Sequence, residues 1–196
     1  LSDNQAELYQ PPTPTFHLEN WTRFKLVAPY YIDVDFRCLA HQPLFKGNYI
    51  GLFWASYINA PLDKSIYFQA ENGYWAQLCT QQHNDESTVC HPDDPIQLTF
   101  SQDYRDALFR SFSPFRYRLP LFYGLFENLT WVVMFDRTEG IRLTHSPSGG
   151  GSSQQYQTAN PAWDFQLIVP NYQVQTEYGF KARLVYRQKC SRQEIL

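Results

Sequence analysis

Eight consecutive residues limit the fold more than any other feature of the chain. In Tyr31-Ile-Asp-Val-Asp-Phe-Arg-Cys38, the residues Ile32, Val34, Phe36 and Cys38 share one face of an extended backbone, and Asp33, Asp35 and Arg37 share the other. A helix would scatter both sets around its circumference. The segment therefore reads as a half-buried antiparallel strand, which commits the chain around it to sheets. The same alternation recurs where Phe24 and Leu26 interleave with Arg23 and Lys25, and where Phe180, Ala182, Leu184 and Tyr186 oppose Lys181, Arg183 and Arg187.

Short apolar runs at residues 121–126, 129–135, 141–145 and 165–169 add further strands, and residues 49–58 are apolar almost throughout, as in a strand covered on both faces. Composition agrees with this reading. With 14 Tyr and 15 Phe against one Met, the chain is rich in rings that fit a pleated, half-buried surface. Asn72-Gly73 signals a tight turn, and residues 97–100 read as one more short strand. The single helix candidate is residues 101–110, with Ser101 as N-cap and Tyr104, Ala107 and Leu108 on one side. About ten strands in 196 residues fit one domain, a two-sheet antiparallel β-sandwich over residues 16–190. A concanavalin-like jelly roll and a closed barrel are the alternatives. Residues 1–15, ending in Pro11-Pro12-Thr13-Pro14, read as an extended arm, and residues 191–196 as a charged tail expected to fray.

Charge and hydropathy narrow the function classes. A net charge of -3 with no basic patch argues against nucleic acid, whose phosphates demand a basic field. The apolar runs fall short of the roughly 20 residues of a membrane helix. The chain begins at Leu1 rather than Met, which leaves room for a removed leader or an upstream segment and leans the reading toward an extracellular or periplasmic protein. Four cysteines allow disulfides, and Cys79 with Cys90 could close a hairpin across residues 80–89.

Chemistry concentrates in a few places. His83, Asp85, Glu86, His91, Asp93 and Asp94 gather nitrogen and oxygen donors, but at a spacing that matches no metal signature, so the segment reads as a solvated loop and no cofactor is implied. His145 precedes the loop Ser146-Pro-Ser-Gly-Gly-Gly-Ser-Ser153, while Trp163 and Asp164 follow it. An imidazole and a carboxylate meeting across that loop could exchange protons with a substrate. Arg110, Arg116 and Arg118 beside Tyr117 and Tyr123 could instead neutralise an acidic sugar. Trp54, Tyr57, Trp75, Tyr123 and Trp163 supply flat rings on which sugar C–H faces stack. No nucleophile elbow and no phosphate loop is present.

The terminal hairpin, Phe165-Gln-Leu-Ile-Val-Pro170 followed by Glu177-Tyr-Gly-Phe-Lys-Ala-Arg-Leu-Val-Tyr186, resembles the last hairpin of galactose-mutarotase-like β-supersandwich domains. Trp54-Ala-Ser-Tyr-Ile-Asn59, His145-Ser-Pro-Ser-Gly-Gly-Gly151 and Pro161-Ala-Trp-Asp-Phe165 are similar to segments of bacterial proteins of uncharacterised activity. The first resemblance implies a concave sheet face open to sugars and transfers no catalytic residue. The expectation is thus a carbohydrate-binding β-sandwich, with Trp54, His83, Arg116, Tyr123 and Trp163 as ligand-binding candidates and His145 with Asp164 as catalytic candidates. An epimerase or lyase, and a structural or assembly module pairing through aromatic edge strands, are the rival readings.

Overall fold

The computed structural model describes residues 2–100, 108–147, 152–153 and 158–196. In chain order its strands are β1 (Gln5–Gln10), β2 (Leu18–Val27), β3 (Tyr31–Ala40), β4 (Tyr49–Trp54), β5 (Ile66–Gln69), β6 (Trp75–Leu78), β7 (Thr88–Cys90) and β8 (Phe112–Arg116). They continue with β9 (Leu121–Phe126), β10 (Leu129–Phe135), β11 (Ile141–Ser146), the short β12 (Ser152–Ser153) and β13 (Thr158–Ala159), β14 (Ala162–Pro170) and β15 (Glu177–Gln188). One short helix, α1 (Arg192–Ile195), ends the chain. No helix among the described residues is long and apolar enough to cross a membrane.

Two sheets form the layers of a β-sandwich. The larger has eight antiparallel strands in the order β1-β2-β3-β15-β10-β9-β5-β6, and the smaller has five in the order β4-β14-β11-β7-β8, with β7 and β8 parallel. The alternation in β3 decides which side faces inward. Val34, Phe36 and Cys38 are buried, and Phe36 and Val34 lie opposite Phe180 and Ala182 of β15. Their rings meet those of the smaller sheet: Phe36 stacks on Phe180 at 5.4 Å, Phe180 meets Phe165 edge-on at 5.4 Å, and Trp54 stacks on Phe165 at 5.4 Å. Burying each such side chain contributes about 1.5–3 kcal/mol, so this interleaved layer is the principal adhesive between the sheets.

Glycine is required at one turn and at one close contact. Gly73 has φ +85° in the β5–β6 hairpin, where its N–H donates to Ala70 O at 2.8 Å, as the Asn-Gly signal predicts. Gly124 in β9 leaves room for the Trp163 ring from the opposite sheet; a Cβ there would overlap the ring's six-membered half.

Several expectations need correction. Residues 97–100 are not a strand. The helix candidate falls largely on residues 101–107, outside the described residues, and residues 108–110 are a turn. Strand β8 was not legible because it carries Pro114, but β8 lies at a sheet edge, where a missing N–H is tolerated. Residues 5–10 of the expected arm pair with β2 along their whole length. The tail carries a short helix, α1, on which Ser191 and Glu194 form a reciprocal capping box. Cys79 and Cys90 close no hairpin, since β6 and β7 belong to different sheets, and all four cysteines are free thiols.

Candidate functional site

The face of the eight-stranded sheet turned away from the core carries the polar half of each alternating strand. Register aligns these side chains into rows. Glu7, Arg23, Asp35 and Lys181 cross β1, β2, β3 and β15 in one row, and Gln5, Lys25, Asp33, Arg183 and Met134 form the next, ending on β10. A groove of about 560 Å³ lies over them and includes Asp136. A second groove of about 440 Å³ shares Asp35, Asp136 and Lys181 and extends to Arg37, Arg137 and Glu177. The two make one continuous polar trough.

Some of its charges are committed. Arg183 donates to both oxygens of Asp33, at 2.6 and 2.9 Å, which holds the Asp33 carboxyl below the usual carboxylate range. Arg23 bonds Glu7 at 2.9 Å, and Asp136 accepts the Lys181 N–H at 3.1 Å. The side chains of Lys25, Asp35 and Lys181 make no ion pair or hydrogen bond among the described residues. Aromatic rings stand at both ends of the trough. Arg37 lies 5.4 Å over Trp21, which packs 5.6 Å from Tyr9, and at the other end Arg183 lies 5.1 Å over Tyr31.

Most of the sequence-derived candidates lie elsewhere. Tyr123 is on the outward face of β9, where its hydroxyl accepts from Arg192 Nε at 2.8 Å. Trp54 packs between the sheets against Phe36 and Phe165. Trp163 is fully buried and donates Nε1–H to Lys64 O at 2.8 Å. Arg116 turns back on its own strand, its Nη1 donating to the Ser113 and Phe115 carbonyls, both at 2.8 Å. His83 sits in an exposed turn.

His145 and Asp164 do not converge. The β11–β14 register pairs His145 with Trp163 and Thr144 with Asp164, and side chains of adjacent residues leave a strand on opposite faces. His145 points inward with Trp163 and donates Nε2–H to the same Lys64 carbonyl, at 2.9 Å. Its Nδ1 accepts from Thr80 N at 3.2 Å and lies 2.8 Å from Thr80 Oγ1. Both ring nitrogens are thereby engaged in the neutral form, and burial lowers the pKa further. Asp164 points to the other side of the sheet, accepts Ser56 N–H at 2.7 Å and clamps the chain as it leaves β4. Burial pushes its carboxyl up to about 6, against the opposing pull of the Ser56 N–H and the Ser146 hydroxyl.

The acidic loop is solvated at His83, Asp85, Glu86 and Asp93, as expected, and departs from that reading at Asp94. Asp94 is buried against Arg142, its Oδ2 accepting from Nε at 2.8 Å, while Arg142 Nη2 donates to Ile96 O and the guanidinium lies 5.1 Å over Phe112. Among the described residues no group of three or more His, Cys, Asp or Glu side chains could hold a metal.

Asp33, Asp35, Lys25, Lys181 and Arg183 were visible in the sequence only as the outward half of alternating strands. Their signal was there in the charges of opposite sign on that face, but only the cross-strand register turns it into rows.

No protein-family model and no curated protein sequence matches the chain. Among solved structures it is similar to the crystal structure of a "putative aldose 1-epimerase" from Escherichia coli K12, with 10% identity and a TM-score of 0.47 over 96% of this chain and 67% of that one.

Proposed function

We propose that the protein binds carbohydrate in the trough on the outward face of the eight-stranded sheet. The observation that carries this reading is the set of groups in the groove that make no ion pair or hydrogen bond among the described residues: Asp35 and Lys181 come from adjacent strands, and Lys25, whose charge also acts on Asp33, from the next. A sugar hydroxyl both donates and accepts hydrogen bonds, so it needs acceptors and donors side by side. Carboxylates supply only acceptors and ammonium groups only donors, and a mixed row of them serves successive hydroxyls. The near balance of Asp33, Asp35 and Asp136 against Arg23, Lys25, Lys181 and Arg183 suits a weakly charged, polyhydroxylated ligand better than a strong anion or cation.

The bidentate Asp33–Arg183 pair preorganises one wall of the groove, which lowers the cost of ordering side chains on binding. Tyr123 contributes to the adjoining aromatic floor rather than to the trough itself.

The test is a glycan-array screen followed by calorimetric titration of the retained sugars. Asp35→Asn with Lys181→Ala is expected to weaken binding at least about tenfold, a loss of roughly 1.4 kcal/mol, with thermal unfolding unchanged because both groups are on the surface. A wild-type protein that retains no glycan, or a double variant that binds as tightly as wild type, would refute the assignment.

A further inference from the structure

Beside the trough, on the same outward face, three rings from three strands surround a positive charge supplied by the chain itself. Tyr67 of β5 stacks on Tyr123 of β9 at 5.1 Å, and Trp75 of β6 meets Tyr123 edge-on at 5.3 Å. The Arg192 guanidinium carbon lies 5.3 Å from the Tyr67 ring and 5.5 Å from the Trp75 ring. Its Nε donates to Tyr123 Oη at 2.8 Å. Tyr67 Oη in turn donates to Asp63 Oδ2 at 2.7 Å, which adds a carboxylate to the negative ring faces. Two ring faces, a hydroxyl acceptor and a nearby carboxylate make a receptor for an organic cation.

The segment that delivers Arg192 is lightly held. Helix α1 has four residues and buries none of them, and its capping box is internal to the segment. Its other ties are the exposed Arg187–Glu194 contact at 3.3 Å, a 3.4 Å bond from Cys190 N to Thr130 Oγ1 and the partial packing of Ile195, while the chain just before it is anchored by Lys189 N donating to Asn128 O at 2.7 Å. Arg192 is itself exposed at its outer surface, so the cage opens to solvent on the side from which Arg192 enters.

We propose that Tyr67, Trp75 and Tyr123 form a binding site for an alkylammonium or guanidinium group, and that Arg192 is its tethered, displaceable occupant. An external cation takes the site by exchanging one cation–π partner for another, so the rings are never left bare to water, and α1 is released as it binds. This site is separate from the trough, and its test does not depend on carbohydrate binding.

The experiment uses tetramethylammonium chloride as probe, with sodium chloride at equal ionic strength as control. Binding is read from the Trp75 indole N–H resonance, assigned with Trp75→Phe. Arg192→Ala is expected to bind the probe at least about tenfold more tightly than wild type, and Arg192→Ala combined with Trp75→Ala to lose that gain. An Arg192→Ala protein with no gain in affinity, or a gain that survives Trp75→Ala, overturns the proposal. A second measurement needs no variant: in the wild-type chain, saturating tetramethylammonium is expected to accelerate amide exchange across residues 191–196, and sodium chloride is not. Unchanged exchange in that segment likewise overturns it.

Discussion

Acidification pulls the stability of this protein in two directions, and single substitutions separate them. Asp164 is buried with its carboxyl raised from an ordinary 3.8 to about 6, so the folded chain holds this proton where the unfolded chain has released it. A raised carboxylate destabilises the fold at neutral pH, and the penalty disappears as the pH falls from about 6 to about 4. Its full size is about 3 kcal/mol, of which about 2 kcal/mol lies between pH 4.5 and 7. His145 acts with the opposite sign. Its folded pKa is lowered from 6.5, so the unfolded chain takes up a proton first and stability falls below about pH 6.5, by at most about 1.4 kcal/mol per pH unit. The assay is urea unfolding of the wild type, Asp164→Asn and His145→Gln at about pH 4.5, 5.5 and 7, since surface groups common to all three cancel in the differences. Relative to wild type, Asp164→Asn is expected to gain about 2 kcal/mol on going from pH 4.5 to 7. His145→Gln is expected to run the other way, faring better relative to wild type as the pH falls. A difference between Asp164→Asn and wild type that stays flat within about 0.5 kcal/mol across this range would refute the reasoning, because a carboxyl ionising at its ordinary pKa has nothing to lose by removal of its charge.

Other perturbations test the packing. Gly124→Ala drives a methyl group into the Trp163 ring, whose retreat is blocked by its bond to Lys64 O; calorimetry is expected to show a loss of about 1–3 kcal/mol, and an unchanged melting temperature would disprove the contact. Asp94→Ala strands the buried Arg142 guanidinium and is expected to cost about 3–5 kcal/mol in chemical unfolding, whereas Asp94→Leu with Arg142→Met should cost clearly less. Thiol titration at mildly alkaline pH is expected to label exposed Cys79 quickly. Cys38 and Cys90, buried and with thiols pushed up to about 12, are expected to react only after denaturation.

Local pattern carried much of the architecture. The two-residue period in β3 and β15 placed Val34, Phe36, Phe180 and Ala182 on a core and Asp33, Asp35, Lys181 and Arg183 on solvent, because in an extended chain each residue's face follows from its neighbour's. The Asn72-Gly73 turn was equally legible, since Gly73 occupies a backbone region open to glycine at little cost. Partners were not legible. That His145 and Trp163 share the Lys64 carbonyl, that Asp94 neutralises Arg142, and that Arg192 reaches Tyr67 and Trp75 are contacts between residues 48 to 125 positions apart, which no local periodicity encodes. In β3 and β15 the sequence alone determined which side chains face inward and which face out, because in an extended chain that follows from backbone geometry. Only the tertiary structure decided which outward charges stand in one trough, because that depends on the order and register in which distant strands hydrogen-bond.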